Sequence, residues 1–312
     1  MREVVLGIDT SNYTTSLAIL TREGELIANI KRPLAVKAGE RGLRQSDALF
    51  QHVKNIPDVM REAEKYLCDS KIVAIGVSTR PRNVDGSYMP CFLAGVAQAE
   101  SISKASGAAL YEFSHQCGHI MAGIYSSGNF ELLNKPFLGF HVSGGTTEML
   151  RVSFNGRAFD TTLLGGTADL NAGQLIDRIG VYMGLSFPCG REMEFLAREC
   201  DKPTKAKRLK VNDYKINLSG LENLAVKMYD DTGDKSYVSS FIFNSVAEGL
   251  IALADAYFEN NTKSPVLFSG GVMSNGIIKE KIKKKYEAYF AEPALSADNA
   301  VGIAYLALKA SV

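Results

Sequence analysis

Twice in this chain, about 135 residues apart, a short apolar run enters a turn of small polar residues and comes back as a second strand. The first copy is Val4-Val5-Leu6-Gly7-Ile8, a turn at Asp9-Thr10-Ser11-Asn12, and an alternating return from Thr15 to Leu20. The second is Phe137-Leu138-Gly139-Phe140-His141-Val142, the turn Ser143-Gly144-Gly145-Thr146-Thr147, and a return from Glu148 to Val152. Apolar spacing predicts helices over 46–66, 92–106, 171–184, 188–199 and 237–260, one from about 274, and a last one over 298–310. Short buried strands are predicted at 25–30, 72–77 and 266–268. A repeated strand–turn–strand unit with helices after each copy limits the fold to a duplicated α/β architecture. No low-complexity linker separates the halves, so two lobes sharing a close hinge are expected.

A chain of 312 residues, 46% of them hydrophobic, can bury one large core or two moderate ones. With 35 basic against 34 acidic residues the net charge is +1, which advertises no polyanion partner at the level of the whole molecule. The start, Met1-Arg2-Glu3 and then Val4 to Leu6, is interrupted too soon by Gly7 and Asp9 to read as a signal peptide. No apolar run of about 18 residues stands out, so no membrane span is expected. Five scattered cysteines without a C-x-x-C pair fit reduced thiols in a cytoplasm.

Three turns suit a phosphate or nucleoside: Asp9 to Asn12, Ser143 to Thr147, and Ser269-Gly270-Gly271-Val272-Met273-Ser274-Asn275, which closes a strand and opens a helix. Each could equally be an ordinary turn. Neither a Walker-type P-loop nor a G-x-G-x-x-G fingerprint is present. Of four histidines, His115 and His119 stand four apart, which on a helix points both imidazoles to one side, as a metal requires of two ligands. The alternative is a chance pair, one capping and one packed. Gln116 cannot serve as the base of an H-E-x-x-H protease. Asp298 is a candidate third ligand, or else the cap of the last helix. Asp177 lies in an otherwise apolar helix and either reaches a ribose hydroxyl or faces solvent. Lysine-rich stretches at 202–210 and 279–285 either touch nucleic-acid phosphate or are solvated surface.

Taken in order, several segments resemble the Kae1/TsaD family of tRNA N6-adenosine threonylcarbamoyltransferases, once labelled sialoglycoproteases. They are Gly7-Ile8-Asp9-Thr10-Ser11, Gly42 to His52, His115-x-x-Gly118-His119, Ser143-Gly144-Gly145-x-Thr147, Asp169-x-x-Ala172-Gly173-x-x-x-Asp177, Pro188-x-Gly190, Ser219-Gly220-Leu221, Ser269-Gly270-Gly271-Val272-x-x-Asn275 and Asp298-Asn299-Ala300. The resemblance implies an actin-like ATPase fold: two duplicated RNase H-like lobes, 1–108 plus 296–312 and 109–295, with a nucleotide cleft between them. It implies that His115, His119 and Asp298 bind one divalent metal, iron or zinc, with Asp9 beside them as a catalytic residue. Ser143, Gly144, Gly145, Thr146 and Thr147 would wrap the phosphates of an adenine nucleotide, threonylcarbamoyl-AMP or ATP. Asp177, Gly190, Gly270, Gly271 and Asn275 would hold the rest of it. The implied partners are tRNA, an inactive paralogue and a small P-loop ATPase.

The sequence also departs from the family pattern on the substrate side. Asn12-Tyr13-Thr14-Thr15 stands where Cys-Asp-Glu-Thr is usual, and Arg80-Pro81-Arg82-Asn83 replaces a Gly-Pro-Gly-Leu turn. Thr146 replaces a histidine, Cys189 a glycine, Gly166 a glutamate and Glu222 a lysine. Kept metal ligands beside altered substrate positions describe a divergent paralogue. Such a chain transfers to tRNA, transfers to another acceptor, or binds nucleotide as a partner subunit.

Overall fold

The central strand β1 (Arg2–Ser11) is buried from Val4 to Ser11, as a strand covered on both faces must be. It pairs antiparallel with β2 (Thr14–Thr21), with Gly7 opposite Ala18 and Ser11 opposite Thr14. β2 in turn pairs antiparallel with β3 (Leu26–Pro33). On its other side β1 runs parallel to β4 (Ser70–Arg80), and β4 parallel to β5 (Ala109–Ser114), giving the order β3-β2-β1-β4-β5. The computed structural model describes residues 1–11, 13–36, 43–84, 86–296 and 299–312.

Side chains alternate along β1. Val4, Leu6 and Ile8 enter the core beneath α1 (Gln45–Leu67) and α2 (Phe92–Ser106), with Val59, Ala63 and Ala99. Gly7 and Asp9 point the other way. A Cβ on Gly7 would lie 2.3 Å from the Ala300 carbonyl oxygen, and one on Gly76 would lie 2.5 Å from that of Ile303. Bare backbone at both positions lets the C-terminal helix, α10 (Val301–Ala310), lie directly on β1 and β4. α3 (His115–Ser127) packs against α10 through Gly302, whose Cβ would meet the Gly118 carbonyl oxygen at 1.9 Å.

The second sheet repeats the pattern. β6 (Phe137–Val142) pairs antiparallel with β7 (Thr147–Phe154) and parallel with β10 (Val266–Ser269), which runs parallel to β11 (Ala288–Phe290). With β8 (Phe159–Thr167) and β9 (Lys215–Ile216) the order is β11-β10-β6-β7-β8-β9. Thus β6, β7, β8, β10 and β11 take the places of β1 to β5, and β9 is an added edge. The core joins Leu138, Phe140 and Phe268 to α4 (Ala172–Tyr182), α5 (Gly190–Arg198), α6 (Ser219–Thr232), α7 (Lys235–Phe258) and α8 (Gly276–Lys283). A last short turn, α9 (Pro293–Ser296), precedes α10.

The chain forms two compact units. One holds Met1–Leu133, Phe154–Asp160 and Ala294–Val312, and the other Asn134–Ser153 and Thr161–Pro293. The expected division fell at residue 108, but β5 pairs with β4, so β5 and α3 stay with the first sheet. α7 also differs from expectation. An 18-residue window within it reaches a mean hydropathy of 1.4, long and apolar enough to cross a membrane, yet 78% of that window is buried in the protein.

Candidate functional site

In the first unit, strand parity brings Asp9 to the face of the sheet that carries α3. Its carboxylate is fully buried and well supplied with donors. Oδ1 accepts from the Ser78 hydroxyl, Oδ2 accepts from the Ser11 hydroxyl at 2.8 Å, and the main-chain oxygen accepts from Ser16 at 3.2 Å. His115 Nδ1 stands 3.2 Å from Asp9 Oδ1.

His115 opens α3. Ser114, fully buried, caps that helix by accepting from the Cys117 N–H at 3.3 Å, and the Pro81 carbonyl takes the Gln116 N–H at 3.0 Å. His119 follows one turn later, and the two rings meet edge to face with centroids 4.3 Å apart. The helical spacing read from the sequence therefore holds, with Asp9 as the neighbour that orients one ring. Asp298 and the adjoining Ala297 lie outside the described residues. At the head of α10, Asn299 Oδ1 accepts from the Val301 N–H at 3.0 Å. Among the described residues no group of three metal-ligating side chains is complete. The donors that are described suit a metal nonetheless: two neutral imidazoles are borderline ligands fitting zinc or ferrous iron. A carboxylate on the second ring nitrogen is the usual support of a metal-bound histidine. Cys91, at the head of α2, is no rival nucleophile, because burial and then the Asp9 charge push its thiol up to about 11.

In the second unit, Ser143 to Thr147 make a tight turn closed by the Ser143 N–H on the Thr146 carbonyl at 2.7 Å. The head of α4 braces it. Gly173 N–H donates to the Ser143 carbonyl at 3.2 Å, Asn171 Nδ2 to the Gly145 carbonyl at 2.9 Å, and Ala172 N–H to Thr147 Oγ1 at 2.9 Å. A Cβ on Gly173 would come within 2.7 Å of Gly144, so glycine is needed there for contact. Around Gly144, Gly145 and Gly271 a Cβ would meet nothing within 4 Å, which leaves room for a ligand at bare backbone.

Asp177 Oδ1 accepts from the Cys189 N–H at 2.8 Å, just before Gly190 opens α5. Burial raises this carboxyl above its ordinary value, against the lowering effect of that hydrogen bond. Gly270 has φ +96°, and a Cβ there would collide with the Val142 carbonyl at 2.3 Å, so the second glycine turn is locked to the end of β6. Asn275 caps α8 by accepting from the Ile278 N–H at 3.0 Å, while its Nδ2 is buried with no hydrogen-bond partner among the described residues. A buried donor left unpaired costs about 1–3 kcal/mol unless something accepts from it.

Several sequence features have structural explanations. Asp169 ties down the start of α6, accepting from the Leu218 N–H at 2.8 Å and the Ser219 N–H at 3.1 Å. Burial alone would raise its carboxyl, but bonds from the Ser219 hydroxyl and the Leu218, Ser219 and Leu170 amides hold it below its ordinary value. The lysine-rich stretches are partly neutralised, with Lys202 on Asp234, Lys281 on Glu248 and Lys285 on Asp255. Glu222 pairs with Arg178 at 3.3 Å. Gly166 has φ +147°, and a Cβ there would lie 2.0 Å from the Thr147 carbonyl oxygen, so no side chain fits where a glutamate is usual. The replaced loop turns inward: Asn83 Nδ2 donates to Cys117 Sγ and to the Phe159 carbonyl, both at 3.3 Å. Sequence reasoning missed the Ser11 and Ser78 support of Asp9. Ser78 lies just past the strand expected at 72–77 and carries no motif of its own.

A family model described as tRNA N6-adenosine threonylcarbamoyltransferase matches residues 26–305. The tRNA N6-adenosine threonylcarbamoyltransferases of Streptococcus sanguinis and Sulfurihydrogenibium sp. are each 28% identical over 98% of this chain, covering 91% and 90% of their own lengths. Among solved structures, component A of the Acidaminococcus fermentans (R)-2-hydroxyglutaryl-CoA dehydratase aligns with a TM-score of 0.56 at 18% identity, over 99% of this chain and 98% of its own. A ROK family glucokinase from Streptomyces griseus, solved with glucose and AMPPNP, aligns with a TM-score of 0.53 at 13% identity, over 97% and 99%. These structures share the actin-like ATPase fold, and so does this chain.

Proposed function

Because the chain belongs to the tRNA N6-adenosine threonylcarbamoyltransferase family and is therefore a transferase, we propose that it moves a threonylcarbamoyl group from threonylcarbamoyl-AMP to the N6 amine of an adenosine in tRNA. The amine attacks the carbamoyl carbon, the bond from that carbon to the phosphate oxygen breaks, and AMP leaves with the electron pair. The amine proton passes to solvent. An exocyclic adenine amine is a weak nucleophile, so the protein's work is to position the donor and stabilise the departing phosphate.

The turn at Ser143, Gly144, Gly145, Thr146 and Thr147 would face the phosphate, where bare glycine backbone admits close approach. Asn275 Nδ2 would donate to the nucleoside and so gain the partner it lacks. The Asp177 carboxylate, fixed through Oδ1, would offer Oδ2 to a ribose hydroxyl. Gly190, Gly270 and Gly271 would line the same ligand. His115 and His119, with Asp298, would hold one zinc or iron ion, which when bound supplies a Lewis acid for the carbamoyl or phosphate oxygens. Asp9 is then a positioning residue, fixing the tautomer and tilt of His115. A cytoplasmic setting and a tRNA partner belong to this reading.

The observation that carries it is the imidazole pair set side by side at the head of α3 with a buried carboxylate behind it. The test supplies threonylcarbamoyl-AMP, unmodified tRNA and metal to the purified chain, and looks for modified adenosine by mass spectrometry. Product that disappears in His115→Ala supports the reading. If the chain alone is silent, an inactive paralogue and a small P-loop ATPase are the components to add. The packed Gly166 favours a second reading, in which the same donor serves an acceptor other than tRNA. AMP release without modified tRNA would select it.

A further inference from the structure

The two parallel strands β6 and β10 start side by side, with Leu138 opposite Val266, and the Leu138 N–H donates to the Pro265 carbonyl at 3.2 Å. Each is entered through a lysine-bearing loop, Lys135-Pro136 before β6 and Lys263-Ser264-Pro265 before β10. Antiparallel β7 brings Arg151 opposite Leu138. Three adjacent strands therefore deliver one cation each to the same end of the sheet. At that end lies a cavity of about 390 Å³ lined by Lys135, Arg151 and Lys263, together with Tyr257, Asn261 and Thr262. No carboxylate lines it, and none of the three cations forms an ion pair among the described residues. The other lysine-rich segments of this unit contrast with this, since Lys202, Lys281 and Lys285 all have acidic partners. Three like charges left unpaired around one concavity repel one another, and an anion between them relieves that repulsion.

We propose that this cavity is an anion site that takes a phosphate group, separate from the Ser143 turn. β6 runs from the cavity to that turn, and its 6 residues at about 3.3 Å each hold the two roughly 20 Å apart. A ligand at the Ser143 turn therefore does not reach the cavity. The volume suits a group of nucleotide size, and Tyr257 offers an aromatic wall beside hydroxyl and amide donors. The phosphate has two plausible sources, a small phosphate compound or the backbone of RNA.

The experiment compares the full chain with a triple variant, Lys135→Ala, Arg151→Ala and Lys263→Ala. All three residues are exposed, so the variant is expected to keep its melting temperature. Pyrophosphate is titrated while amide resonances are followed by NMR, and unmodified tRNA is titrated across a range of salt. If the source is a small compound, pyrophosphate shifts the Thr262, Lys263 and Ser264 amides, and the triple variant binds it at least tenfold more weakly at that site. If the source is RNA, the triple variant binds tRNA with a salt dependence flatter by about one unit of slope per contacting cation removed. The proposal is overturned if pyrophosphate shifts only the Ser143–Thr147 amides and tRNA binding is the same in both proteins.

Discussion

Asp9 has both carboxylate oxygens tied to the protein and Asp177 is held through Oδ1, and different consequences follow from their surroundings. Asp9 sits behind His115 with two serine hydroxyls fixing it. Asp9→Asn preserves volume but removes the charge that supports an imidazole bound to a cation. The expected result is a fall in zinc affinity of about 10- to 100-fold by chelator competition, with circular dichroism unchanged. Unaltered affinity would remove Asp9 from the metal's support. Asp177 has a carboxyl raised by burial. Its neutral form is favoured in the folded state, so its contribution to stability is complete below the ordinary value of 3.8 and is lost as pH rises through the folded value. Asp177→Asn should therefore melt with the wild type below that value, and above it by a margin that grows between the ordinary and the raised folded value. A melting-temperature difference that stays constant with pH would contradict this. Both aspartates were legible as members of spaced motifs. Their roles were not, because Ser78, 69 positions from Asp9, and Cys189, 12 from Asp177, reach them only through the fold.

Among the elements, α3 and α10 approach more closely than helices with side chains at the contact could. A methyl at Gly302 would sit 1.9 Å from the Gly118 carbonyl oxygen, and Gly118 lies between the two histidines in sequence. Gly302→Ala must push the helices apart. The expected cost is about 1–3 kcal/mol, with Tm falling by several degrees, and zinc affinity should fall with it because the first turn of α3 moves. A drop in Tm with intact zinc binding would show that α3 yields elsewhere. A second element is held by one side chain: Asp234 caps α7, accepting from the Tyr237 N–H at 3.0 Å and the Ser236 hydroxyl at 2.7 Å. The Lys202 ammonium and these bonds hold its carboxyl well below its ordinary value. Asp234→Ala should lose about 1 kcal/mol at neutral pH. The difference from wild type should shrink as pH falls below 3.8, since a depressed carboxyl stabilises only while ionised. Long elements were legible, α1 from its apolar spacing and α2 and α7 from their apolar length. β8 was not: two of its three buried residues are the glycines Gly165 and Gly166, so no apolar alternation marks it. α6 was hidden because its start depends on Asp169, 50 residues away from Ser219.

For the whole molecule, duplication was readable from the two strand–turn–strand signatures, and the matching strand orders follow from it. The boundary was harder to read, because the strand that ends the first sheet leads straight into the histidine helix without a loop. One consequence is a division of labour. The imidazole pair and Asp9 belong to the first unit, and the open glycine turns, Asp177 and Asn275 to the second. The two ligand classes should therefore leave separate footprints in hydrogen exchange measured by mass spectrometry. Zinc should slow exchange at the start of α3, around residues 115–119. An adenine nucleotide should slow it at 143–147, at the head of α4 and at 270–276, where amides gain acceptors or lose mobility. Adding each alone separates them: α3 should not respond to nucleotide in a metal-free sample through any bond in the first unit. Nucleotide protection confined to α3, with the glycine turns unaffected, would move the nucleotide site out of the second unit and undo the assignment of Ser143 to Thr147.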